Sequence, residues 1–147
     1  MVLSNIATLL QLSPREVTDW FWVAFYDAFD WVVEPNVLAM GTFAAGGLMT
    51  TKPYIAGAGY INKMSNYCKS CSFHPKKNCP ITRLYWAYLA RHQERFAGNF
   101  RMKMIMSLLK KRSEELRKED AYYFETIKNR LLNQEKVCPK SFEELKS

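Results

Sequence analysis

Cys68, Cys71 and Cys79 fall within twelve residues, in the stretch YCKSCSFHPKKNCP from Tyr67 to Pro80, while the fourth cysteine, Cys138, lies far downstream. Thiols at this density point to a soft metal or an iron–sulfur cluster, both of which normally take four ligands. Two completions stay open from the loop alone. His74 would close a tetrahedral Cys3His zinc site, although Pro75 directly after it limits how the ring can turn inward. A 4Fe-4S cluster would instead take the three thiolates plus a remote cysteine, either Cys138 or one from outside this chain. Structurally inert thiols are the plainer reading. Lys69, Lys76 and Lys77 would offset part of the negative charge of any thiolate site.

The elements that must carry this loop are set by the bulk of the chain. At 147 residues it fits one ordinary domain, and 48% hydrophobic with 14% aromatic residues argues for a packed globule over a disordered tail. The first basic residue is Arg15, so the apolar opening VLSNIATLL lacks the charged flank of a secretory signal. The longest uncharged run, Pro35 to Thr51, is too short and glycine-rich for a membrane span. A cytoplasmic setting is therefore expected, where clustered cysteines mean metal or redox chemistry more often than disulfides. Charge is unevenly spread: residues 1–67 hold three Lys/Arg against five Asp/Glu, and residues 68–147 hold eighteen against nine. Such a basic half suits a polyanion, nucleic acid first, with a solvated helical surface as the alternative.

The pattern of elements is all-α. A short apolar helix reaches about Gln11. Ser13-Pro14-Arg15-Glu16 then reads as a capped helix start, and VTDWFWVAFYDAFDWVV reads as one helix from Val17 to Val33. Asp19, Asp27 and Asp30 fall on one narrow stripe of it, and a helix apolar around the rest must be buried around the rest. Residues 34–60 hold five of the six glycines and read as mostly loop with short helical turns. No dinucleotide or phosphate-loop spacing occurs there. Pro80 opens a helix through about Ala97. Met102, Ile105, Met106 and Leu109 recur on the core face of another, and Phe124, Ile127 and Leu131 mark a last amphipathic helix.

Taken together, DAFDWVVEPNVLAMGTFAAGGLMTTKPYIAGAGYINKMSNYCKSC, CPITRLYWAYLARHQERF and NFRMKMIM resemble the C-terminal part of the iron–sulfur prokaryotic photolyase/cryptochrome family, also called bacterial (6-4) photolyases. The resemblance covers about residues 1–108, a partial helical FAD-binding and iron–sulfur domain, and leaves 109–147 as a basic, charged helical extension. It implies light-driven repair of pyrimidine dimers in damaged DNA, a carbon–carbon lyase reaction using FAD, with a 4Fe-4S cluster nearby and no membrane. Cys68, Cys71 and Cys79 would be three of the cluster ligands. Asn36, in EPNVLAM, and Asn5 would lie on the flavin side. Tyr54, in TKPY, would stand near the lesion pocket and Lys52 near phosphate. Trp20 and Phe21 match an aromatic pair that passes electrons to FAD, where Phe21 departs from the family's Tyr. The family's other cluster ligand and a repair histidine precede the segment resembling MVLSN. The expectation is thus a truncated or split region, active with a second polypeptide that supplies the upstream half. The alternatives are a small zinc-binding nucleic-acid module on Cys68, Cys71, His74 and Cys79, or an inactive remnant.

Overall fold

The computed structural model describes residues 2–146 along the backbone and the side chains as far as Phe142. Among the described residues the expected all-α architecture is borne out: eight α-helices, one π-helix and four 3-10 segments, without a strand. The chain packs as two compact units that interleave in sequence, Met1–Ile55 with His92–Leu108 and Ala56–Arg91 with Leu109–Ser147.

In the first unit, α1 (Val2–Leu9) is followed by α2 (Pro14–Ala24). Ser13 caps α2 by accepting a hydrogen bond from the Glu16 N–H at 3.5 Å, and Pro14 occupies the first turn, where no N–H is needed. The single helix expected from Val17 to Val33 is broken. Phe25 leaves α2 in extended conformation (φ −118°, ψ 134°), and α3 (Asp30–Val33) restarts after an extended Phe29. No glycine or proline marks this break; stacked rings flank it instead, Phe21 on Phe25 at 5.2 Å and Phe29 on Trp31 at 4.8 Å.

Residues expected to be loop then form a π-helix, Glu34–Gly41, closed by the Thr42 N–H donating to Val37 O five residues back at 2.9 Å. Turns of this width are rare and concentrate at functional sites. Ala7, Val17, Val33 and Val37 bring one residue each from α1, α2, α3 and the π-helix into a shared core, with Phe21 and Ala28 against it. Gly41 sits closely where the π-helix ends on α1: a Cβ there would lie 3.1 Å from Asn36 O and 3.2 Å from the Ser4 side chain, so a larger residue needs its neighbours to shift by a few tenths of an ångström. Beyond it, buried Phe43 holds a left-handed backbone (φ 58°), a strain of about 1–3 kcal/mol for such a residue. Its support comes from α6 (Gln93–Ala97): Phe96 packs on the ring at 6.2 Å, and Arg95 donates to Phe43 O at 3.0 Å.

The second unit is built on α5 (Pro80–Arg91) against α8 (Glu114–Leu132), with α4 (Ala58–Met64) beside α5. The helix expected from Pro80 to Ala97 ends at Arg91, because His92 leaves helical geometry (φ −105°, ψ 20°) before α6 begins. The division between units falls within α7 (Lys103–Lys111), next to which Met102, Met106 and Leu109 are buried as their spacing predicts. Asp120 of α8, only 1% exposed, accepts from Arg83 at 3.1 Å and from Arg112 at 2.6 and 2.9 Å. A buried carboxylate is tolerable on these terms, paired and hydrogen-bonded on both oxygens. The Arg91 guanidinium sits 3.7 Å from the Phe124 ring centroid and bonds Glu125 at 2.8 Å. Leu131 was expected on the buried face but is 47% exposed. One turn earlier on the same helix, Ile127 is 4% exposed.

Candidate functional site

A cavity of about 310 Å³ opens in the first unit, lined by Ser4 from α1, Phe21 from α2, Asn36, Val37, Met40 and Gly41 from the π-helix, and Tyr54. Three residues singled out in the sequence, Phe21, Asn36 and Tyr54, therefore share one wall although 33 positions separate the first from the last. The wide turn brings Asn36, Val37, Met40 and Gly41 to the cavity together. Asn36 Nδ2 donates to Val32 O at 2.8 Å, which fixes the amide plane and leaves the amide oxygen able to accept from a ligand. Asn5 is 3% exposed and interior to α1; the α1 residue that reaches the cavity is its neighbour Ser4.

A second cavity, about 360 Å³ and almost wholly apolar, lies along α1 and α2 and includes Trp20 and Phe21. Phe21 thus borders both. Trp20 meets Phe21 edge-on at 5.2 Å, and Phe21 stacks on Phe25, so three rings run in contact. The apolar circumference expected of this segment is not covered by the chain's own elements: Trp22, Val23 and Trp31 are 56%, 84% and 74% exposed. The cluster beneath α2 and α3 forms without them, from Ala7, Val17, Val33 and Val37. An exposed apolar patch of this kind marks an interaction surface.

The cysteine loop lies in the second unit. Cys68 sits in the 3-10 turn Tyr67–Lys69, Cys71 is exposed, and Cys79 directly precedes Pro80 of α5. Burial pushes the Cys79 thiol up, opposed by hydrogen bonds to its sulfur from the Ile81 and Thr82 N–H groups; the nearby Cys71 and Cys68 add to the rise. Cys71 Sγ accepts from the Phe73 N–H at 3.4 Å. Hydrogen bonds to sulfur of this type stabilise thiolates and tune cluster potentials. His74 is occupied in a tight turn, its N–H donating to Asn78 Oδ1 at 2.7 Å and its Nδ1 accepting from the Lys76 N–H at 3.2 Å. Among the described residues no three of His, Cys, Asp or Glu gather around one ion position, which a Cys3His zinc site would need. Two of the three thiols, Cys71 and Cys79, accept backbone hydrogen bonds. The rings, amide, hydroxyl and bare Gly41 backbone of the first cavity fit the edge of a flat aromatic group.

Ser4, Val37, Met40 and Gly41 were not anticipated as site residues. The glycine-rich run was the available signal for Gly41. Nothing in composition announces a π-helix. Among the described residues no helix is long and apolar enough to cross a membrane.

No protein-family model matches the chain. A (6-4) photolyase of Agrobacterium fabrum is 39% identical over 122 residues, which cover 80% of this chain and 24% of the photolyase. Uncharacterized protein R855 of Acanthamoeba polyphaga mimivirus is 37% identical over 98 residues, which cover 67% of this chain and 76% of that protein.

Proposed function

The chain belongs to one family with the mimivirus protein R855 and is homologous to the C-terminal part of a (6-4) photolyase, and on that premise we propose that it forms one wall of the flavin pocket in a photolyase/cryptochrome-like protein acting on damaged DNA. The observation that carries this reading is the meeting of Phe21, Asn36 and Tyr54 on one cavity, next to a glycine whose Cβ would crowd Asn36 O and Ser4. When bound, FAD supplies the photoexcited electron donor for opening a pyrimidine dimer.

The chain's own residues have narrower tasks. The Asn36 amide, held by Val32 O, would offer its oxygen as a hydrogen-bond acceptor to the flavin. Trp20 and Phe21, in edge-on contact at 5.2 Å, would form the aromatic pair beside the flavin, with Trp20 the more readily oxidised of the two. Tyr54 flanks the space for a base turned out of the helix, and exposed Lys52 holds the adjacent phosphate. Cys68, Cys71 and Cys79 would supply thiolates to a 4Fe-4S cluster. Residues 1–108 carry this machinery, and 109–147 extend it. The exposed faces of α2 and α3 lie against the remainder of a photolyase-type helical domain, in the same or a second polypeptide.

Co-expression with the part of the Agrobacterium photolyase that lies outside the matched segment tests this reading. A complex that retains FAD and loses it in Gly41→Val supports the flavin wall. Absence of flavin from a stable complex overturns it. Iron and acid-labile sulfide after anaerobic reconstitution, lost in Cys71→Ser, support the cluster; one tightly held zinc per chain excludes it.

A further inference from the structure

The flavin reading gives no occupant to the apolar cavity along α1 and α2. Leu3, Leu12 and Trp20 in its lining are 49%, 50% and 53% exposed, so apolar surface runs from the cavity out to solvent. Glu16 is the one charged residue that lines it, and Glu16 makes no ion pair among the described residues.

The same unit carries a second open apolar surface. Phe100, Met104 and Leu108 are 85%, 75% and 51% exposed. Their spacing of four residues, along the 3-10 turn Phe100–Met102 and α7, puts them on one face, away from the buried Met102 and Met106. Arg101 and Lys103 are exposed between them in sequence, and neither makes an ion pair among the described residues. The two stretches that build this unit also differ in charge: residues 1–55 hold two Lys/Arg against five Asp/Glu, and residues 92–108 hold three against one. A greasy cavity with a lone carboxylate and a greasy stripe beside two cations are complementary in both polarity and sign. At these exposures the stripe does not fill the cavity of its own chain.

We propose that the cavity along α1 and α2 of one copy receives the Phe100–Met104–Leu108 stripe of a second copy, with Arg101 and Lys103 meeting Glu16. Cavity and stripe are different patches, so the contact is heterologous, and each pair keeps one free cavity and one free stripe with which to add further copies. An anionic membrane would suit the stripe alone; it gives the cavity no occupant and Glu16 no counterpart. The association belongs to the chain apart from a photolyase remainder and does not depend on flavin.

Sedimentation velocity of the purified chain over a range of concentrations tests this. Mean mass should rise past that of two copies, and association should weaken as salt rises from about 50 to about 500 mM. Leu12→Lys puts a cation into the cavity, and Phe100→Glu combined with Met104→Glu puts acids on the stripe. Each variant should weaken self-association at least about tenfold. All three positions are exposed, so circular dichroism should match that of the unaltered chain. Mixed in equal amounts, the two variants should form a one-to-one dimer and nothing larger, because one intact cavity and one intact stripe remain between them. Trp31→Lys, on α3 and in the lining of neither cavity, should leave association within about twofold. Several results overturn the proposal: a chain that stays monomeric, or a mixture that stays monomeric although both variants fold. Equal loss in Trp31→Lys also overturns it, by moving the contact to the faces of α2 and α3. So does a stripe variant that loses binding to phosphatidylserine vesicles while its self-association is unchanged. Failure of the flavin experiment leaves this outcome untouched, since no arm of it uses flavin.

Discussion

The helix pairs of the two units use aromatic residues in opposite ways. α8 turns Tyr123, Phe124 and Ile127 inward against α5 and satisfies its one buried carboxylate with two arginines. α2 and α3 carry an even denser aromatic sequence, yet they leave Trp20, Trp22, Val23 and Trp31 largely exposed over a small core of alanine and valine. A protein that needed these rings for its own stability would have used them as α8 does. The contrast separates a unit that completes itself from one that holds its apolar surface for something else.

The comparison breaks most visibly at Asp120. Asp120→Ala strands Arg83 and Arg112 without their buried partner and should cost about 3–5 kcal/mol in urea unfolding followed by circular dichroism; a cost under 1 kcal/mol would mean that the second unit does not depend on its ion network. Next comes Gly41→Val, which pushes side-chain atoms into Asn36 O and Ser4. It should destabilise the chain by about 1–3 kcal/mol and close the cavity, read as loss of flavin retention in the complex. Ser13→Ala removes the α2 cap and should cost about 1 kcal/mol. Val23→Lys, on the open face, should change stability by no more than about 0.5 kcal/mol while preventing association with the photolyase remainder. A large stability loss there would show that α2 is core after all, and the contrast between the units would vanish.

The thiols sharpen the same contrast without a stability readout. Cys79 is held neutral by burial, whereas the Cys138 thiol is shifted down by hydrogen bonding from Ser141. The thiolate is the reactive form, so Cys138 should be alkylated by iodoacetamide at lower pH than Cys79, with the rate for Cys79 still rising where that for Cys138 has levelled off. The reverse order, measured by peptide mass mapping, would contradict the described loop.

Much of the scaffold was legible because its signals are local. Ser13-Pro14 announces the start of α2, and the Met102–Met106–Leu109 spacing announces a buried face; both depend on residues within two turns of one another. The break at Phe25 was not legible, since neither glycine nor proline interrupts the helical pattern and the stacked rings that flank it are also good helix-face residues. The π-helix escaped for a related reason: a residue's preference for a wider turn is set by what the turn packs against, here Ser4, which leaves little room for a side chain at Gly41. At the site, motif order alone nominated Phe21, Asn36 and Tyr54, but only the fold could reveal that Ser4 and Met40 complete their cavity. For the cysteines, sequence supplied the donors and the structure supplied the backbone N–H groups that turn toward them.

The π-helix also sets a rule about length. Each of its turns lodges one residue more than an α-helical ladder would hold, so deleting any single position between Glu34 and Gly41 invites the backbone to snap into the tighter ladder. Every residue after the deletion would then swing by about 100° around the helix axis. Lineages of this protein can trade residue types in that segment, but they should not be able to gain or lose one.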